Sequence, residues 1–118
     1  MPRTRVKVDS GVAIVSKTVN DEYLCSLAKK VANKLGLTGV ANIQFKEDVN
    51  GIPKLLEVNP RFSGTMPLTV ASGADMPKML LKESINELSD NYVQHAELGV
   101  VRYLEEKFIP VEQLEKVH

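Results

Sequence analysis

The sequence predicts an α+β fold: an antiparallel sheet with helices packed on one of its faces. Three observations predict it. Two pairs of short alternating or apolar runs are each joined by a turn containing glycine. A capped segment with helical apolar spacing separates the two pairs. Two further helical segments follow the second pair, punctuated by Gly73 and Pro77.

In order, "TRVKV" alternates polar and apolar residues and reads as a strand, "DSG" as a turn and "VAIV" as a second strand. "NDEYLCSLAKKVANKLG" reads as a helix. Asn20 can cap it, Asp21 and Glu22 suit its positive end, and Gly36 can end it. Leu24, Leu27, Ala28, Val31 and Leu35 share one face at helical period. "ANIQFKED" and "GIPKLLEVN" read as strands around an Asn-Gly turn, whose two positions favour positive φ. After the loop "PRFSG", "TMPLTVASGADMP" reads as a short helix and a break at Gly73. A second helix follows through "KMLLKESINEL", capped by Asp75 with Pro77 in its first turn. "SDNYVQHAE" is a polar connection, "LGVVRYLEEKFI" a last strand, and "PVEQLEKVH" a short terminal helix. The order is ββαββααβ.

Composition narrows the function. The chain has 118 residues, enough for one small domain or part of a larger one, and 43% are hydrophobic, enough for a core. Fifteen basic and fifteen acidic residues cancel, and tryptophan is absent. That argues against nucleic-acid and membrane-surface partners. Cys25 stands alone, so no internal disulfide forms. No apolar run marks a signal peptide or a membrane span, so a cytoplasmic protein is expected. His95 and His118 read as solvated, and Met66, Met76, Met79 and Leu80 as packing. Ser63 and Ser72 have no evident base partner.

The second hairpin carries the chemistry. With Asn50-Gly51 as a two-residue turn, Val49 faces Ile52, Phe45 meets Leu56, and Ile43 meets Val58. Gln44 then falls opposite Glu57, and Asn42 opposite Asn59. Side chains alternate across a strand, so Gln44, Glu57 and Asn59 share a face and the apolar pairs share the other. A bulge near Pro53 would shift this register. Such oxygen donors suit Mg²⁺ or Mn²⁺, which share ligands with nucleotide phosphates. Arg61 can hold a phosphate by a bidentate fork, and "SGT" adds backbone amides at a helix start. Alternation by itself equally describes the wet face of a sheet.

The stretch "NIQFKEDVNGIPKLLEVNPRFSGTMPLTVASGADMP" resembles the ATP-grasp superfamily, in particular domains similar to the carbamoyl-phosphate synthase large chain. "MPRTRVKVDSG", "VNDEYLCSLAKKVANKLGLTG" and "GVVRYLEEKF" resemble flanking parts of the same domain. The resemblance implies an enzyme that activates a carboxylate with ATP as an acylphosphate, with two metal ions on the phosphates. It implies Glu57 and Asn59 as metal ligands, Glu57 bridging both ions, and Gln44 at the earlier ligand position. It implies Arg61 against the transferred phosphoryl group, as a catalytic and nucleotide-binding residue, and Leu56 in the adenine pocket. Arg3 and Arg5 resemble basic positions on the strand entering the subdomain.

The chain also departs from the family. It resembles the C-terminal part of one ATP-grasp subdomain across residues 1–118. The glycine-rich lid, the phosphate-holding lysines and the preceding substrate domain have no counterpart in it. The expectation is therefore an ATP- and metal-binding portion, inactive alone, that needs the missing N-terminal portion or its subunit. An exposed sheet edge is expected, with self-association through it as one consequence. A stand-alone binding or regulatory module derived from the same domain remains open, as does a small protein with no nucleotide role.

Overall fold

A computed structural model of the chain describes residues 1–87 and 95–114. Five strands and four helices follow the expected order: β1 (Arg3–Asp9), β2 (Val12–Thr18), α1 (Glu22–Leu35), β3 (Asn42–Glu47), β4 (Pro53–Asn59), α2 (Met66–Ala71), α3 (Met76–Ser84), β5 (Gly99–Val101) and α4 (Val111–Leu114). The class is α+β, with antiparallel pairing throughout. The strands divide into a three-stranded sheet in the order β1-β2-β5 and the separate hairpin β3-β4.

The first hairpin turns at Ser10-Gly11, both at positive φ (47° and 81°), which is the mirror-image turn that matches strand twist. The second does not. Gly51 has positive φ and Asn50 does not. The loop is Val49-Asn50-Gly51, closed by Asp48 N–H donating to the Ile52 carbonyl at 3.0 Å. The Asp48 carboxylate explains the choice. It accepts from the N–H groups of Asn50 and Ile52, each at 2.9 Å, and holds the longer turn. The expected pair Val49–Ile52 is thus absent.

Helix α1 is capped by Asp21, whose side chain accepts from Leu24 N–H at 2.8 Å, one residue later than Asn20. Gly36 ends it in the left-handed conformation, φ 61°. Asp75 caps α3 through Lys78 N–H at 3.0 Å, with Pro77 in the first turn, as expected. That helix ends at Ser84, four residues short of the expected Leu88: Ile85 caps it and Asn86 takes a positive φ of 56°. Most of the polar connection and the end of the terminal helix lie outside the described residues. The last strand is shorter than expected. Arg102 N–H still donates to the Ile14 carbonyl at 2.8 Å, but β2 begins at Val12, so no ladder remains for a strand running to Ile109. Leu104 is 99% exposed.

The core lies between β2 and α2 and is thin. Among the described residues its buried apolar members are Ala13, Leu68 and Ala74. The rest of the layer is polar: Ser16, Thr18, Thr69 and Ser72 are buried. A strap at 95–98 ties it together. Ala96 N–H donates to the Ser72 carbonyl at 2.9 Å, and the Thr18 hydroxyl donates to the Ala96 carbonyl at 3.1 Å while accepting from Leu98 N–H at 2.8 Å. His95, expected in solvent, is half-buried there, with Nε2 shielded. The apolar side of α1 is only half-covered. The radius of gyration is 17.5 Å, against about 13.5 Å for a compact chain of this length.

Candidate functional site

Pairing in the second hairpin changes register once. From the turn, Glu47 pairs with Pro53, Lys46 with Lys54 and Phe45 with Leu55. Gln44 then pairs with Glu57, Ile43 with Val58 and Asn42 with Asn59. Leu56 is the extra residue of a bulge. The expected Phe45–Leu56 pair is replaced by Phe45–Leu55, and the bulge sits at Leu56 rather than near Pro53. Leu56 is 59% exposed on the bulge, immediately before Glu57, above a shallow depression shared with Lys46, Lys54 and Leu55.

Beyond the bulge the expected oxygen cluster forms. Gln44 Nε2 donates to Glu57 Oε1. Asn59 Nδ2 donates to the same oxygen at 3.0 Å. Two amide side chains, one from each strand, therefore converge on one carboxylate oxygen. Turning either amide about its last bond would present oxygen in place of nitrogen. Among the described residues no group of three or more His, Cys, Asp or Glu could hold a metal. One carboxylate and two amides neutralise a divalent cation only in part. That donor set fits Mg²⁺ or Mn²⁺ bound together with phosphate oxygens, as these ions prefer.

Arg61 follows the tight turn Asn59-Pro60-Arg61, in which Arg61 N–H donates to the Asn59 carbonyl at 2.8 Å. Its guanidinium is exposed and donates to the Phe62 carbonyl at 3.0 Å. Gln44 and Arg61 both line an open cleft of about 780 Å³ between the hairpin and the three-stranded sheet. Glu57 and Asn59 do not line it; Glu57 is bonded to Gln44, which does. Leu56 stands apart from it.

The opposite wall of the cleft carries Arg3, Arg5 and Arg102. Arg3 donates to Thr69 Oγ1 and Arg102 to the Gly64 carbonyl, so both brace the segment after Arg61. Sequence reasoning had no role for Arg102, because nothing local tells that β5 lies beside β2. Cys25 is free and half-buried beside the cleft.

The arginine-specific large chain of carbamoyl phosphate synthase from Bacillus subtilis (strain 168) is 54% identical to this chain over 41 residues. The match covers 35% of this chain and 4% of that protein, so the chain corresponds to a small part of it. A family model described as "ATP-grasp in the biosynthetic pathway with Ter operon" matches residues 1–107. That match takes in both hairpins, the oxygen cluster and Arg61, and on it the chain belongs to this ATP-grasp family.

Proposed function

We propose that the chain is the ATP- and Mg²⁺-binding portion of a ligase of the carbamoyl-phosphate synthase-like ATP-grasp type, which activates a carboxylate as an acylphosphate. Its extent is part of the C-terminal ATP-grasp subdomain, and its setting is the cytoplasm. The observation that carries this reading is the convergence of Gln44 and Asn59 on Glu57 Oε1, with Arg61 one turn further along.

Bound MgATP supplies the phosphoryl group and the cation charge. Glu57 would supply the one anionic ligand, and Gln44 and Asn59 would complete the set once their amides turn. Arg61 has donors free to fork onto the transferred phosphoryl group. Leu56 offers an apolar surface beside Glu57 for the adenine ring. The hairpin alone has no lid to exclude water, so the isolated chain binds MgATP weakly and does not turn over. The missing ATP-grasp portion supplies the remainder, and the open edges of both sheets are where it or a second copy would pair.

The test is an NMR titration of the chain with MgATP, with and without the upstream ATP-grasp portion added in trans. Joint shifts at Gln44, Glu57, Asn59 and Arg61 that tighten on adding that portion, together with ATP-dependent ligation, support the reading. Tight association of the two parts with no nucleotide response would mark a binding module instead.

A further inference from the structure

The face of the β1-β2-β5 sheet that meets α2 bears arginines and no acid. Register places them there. Arg3 lies opposite Thr18, and Arg5 opposite Ser16; Ser16 also lies opposite Val100, two residues before Arg102. Directly opposed residues point to one face, and so do alternate residues along a strand. The bonds from Arg3 to Thr69 and from Arg102 to Gly64 confirm that both reach the same side.

Among the described residues no acid pairs with this positive charge. Both bonding partners are neutral. Among the described residues the one ion pair is Lys54–Asp48, at the turn of the other hairpin. Glu47 is the acid on the cleft wall, and it is not within ion-pair distance of any arginine. Half-buried guanidinium groups ordinarily have a counter-charge. Burial already pulls the Arg3 guanidinium below its ordinary value.

Ser16 supplies an independent sign. It is 1% exposed, lines the same cleft, and its hydroxyl has no hydrogen-bond partner among the described residues. A buried hydroxyl without a partner is costly and uncommon. Cationic donors without an anion and a hydroxyl without a partner, on one face of one cleft, describe a place for an oxyanion.

We propose that Arg3, Arg5, Arg102 and Ser16 form an anion site separate from the metal-ligand cluster, and that it holds the carboxylate of the acid to be activated. The carboxylate assignment rests on the ligase reading above, because that reading gives the nucleotide phosphates to the Glu57 side. The anion site itself does not depend on it. The planar guanidinium fork suits a carboxylate.

The test uses the whole chain and the Nε–Hε NMR signals of its arginines. Sodium acetate, inorganic phosphate and MgATP are titrated separately at constant ionic strength. Saturable shifts at Arg3 and Arg5 with acetate, in the absence of metal, are expected. Arg5 is exposed, so R5Q should fold. Losing one charge-assisted hydrogen bond should weaken acetate binding roughly tenfold to a hundredfold. S16A, which leaves net charge unchanged, should weaken it as well and so separates a shaped site from general attraction. Mn²⁺ broadening at Gln44 and Asn59 should be untouched in R5Q, while E57Q should lose that broadening and keep the acetate site. Saturation by phosphate or ATP but not acetate would overturn the carboxylate assignment. Shifts that never saturate, or that R5Q leaves unchanged, would overturn the site. No Mn²⁺ response at Gln44 and Asn59 in the parent chain, with the acetate site intact, would overturn the metal reading alone.

Discussion

Glu57→Gln is the sharpest perturbation of the oxygen cluster, because it removes charge and little else. Glu57 is exposed, and its Oε1 accepts from Gln44 and Asn59. A glutamine keeps one acceptor oxygen for those donors, so thermal stability should change by less than about 0.5 kcal/mol. Metal binding should respond very differently. The exposed site sees nearly the dielectric of water. A divalent ion at about 2.1 Å from a carboxylate oxygen then gains about 4 kcal/mol from the charge, roughly a thousandfold in affinity. Displaced water recovers part of this, so a loss of one hundredfold or more is expected. The assay is Mn²⁺ titration read by paramagnetic broadening of the Gln44 and Asn59 side-chain amide signals. Equal broadening in E57Q and the parent at matched Mn²⁺ would refute the cluster as a metal site. An unfolded E57Q would refute the claim that Glu57 is held for chemistry rather than packing.

The other predictions concern the elements that hold the site in place. Asp21→Ala removes the cap on Leu24 N–H and should cost about 1 kcal/mol, visible as a lower melting temperature by circular dichroism. Leu68→Ala should cost more, about 2–4 kcal/mol in urea unfolding, because Leu68 is 3% exposed in a core with few apolar members. The Asp48 carboxyl is held below its ordinary value of 3.8, chiefly by Ile52 N–H and also by Asn50 N–H and Lys54. A depressed folded value means its contribution is complete above 3.8 and fades as pH falls below it. Protection of the Asn50 and Ile52 amides, taken relative to their intrinsic exchange rates, should therefore fall in that range, and Asp48→Asn should abolish that change.

The pairing of Gln44 with Glu57 was legible in the sequence, though by a route the structure corrects. A two-residue Asn-Gly turn implies paired positions summing to 101, and the observed three-residue loop implies 100, as in Phe45–Leu55. The extra Leu56 in the bulge then restores 101 for Gln44–Glu57 and Asn42–Asn59. One residue gained in the loop is cancelled by one inserted in the strand, so the oxygen face comes out as alternation predicts. The turn was misjudged because the Asx bonds of Asp48 outweigh the local preference of Asn-Gly. The bulge has no signal of its own in "PKLLEV". Its position has a consequence: it lifts Leu56 out of the apolar row formed by Ile43 and Val58 and leaves it exposed next to the Glu57 carboxylate.

The Asp75 cap, the end of α1 at Gly36 and the first turn depend on residues near one another in sequence and were legible for that reason, whereas the cap of α1 falls on Asp21 rather than Asn20. The arginine face depends on three strands whose members lie about a hundred positions apart, from Arg3 to Arg102. Its charges look balanced in the sequence, where fifteen acids match fifteen bases. The balance fails only locally, once β5 docks on β2 and the acids remain elsewhere. The same docking bears on one member of the layer beneath α2, Thr69, while Thr18 bonds the 95–98 strap and Ser72 the Thr69 carbonyl. Guanidinium groups entering from β1 and β5 need neutral acceptors, and Thr69 and the Gly64 carbonyl provide them. An apolar side chain in place of Thr69 would strand the Arg3 donor. At that position the thin core is thus the structural counterpart of a face that holds positive charge ready for an anion, and filling it with an apolar side chain should stabilise the fold only by closing that face.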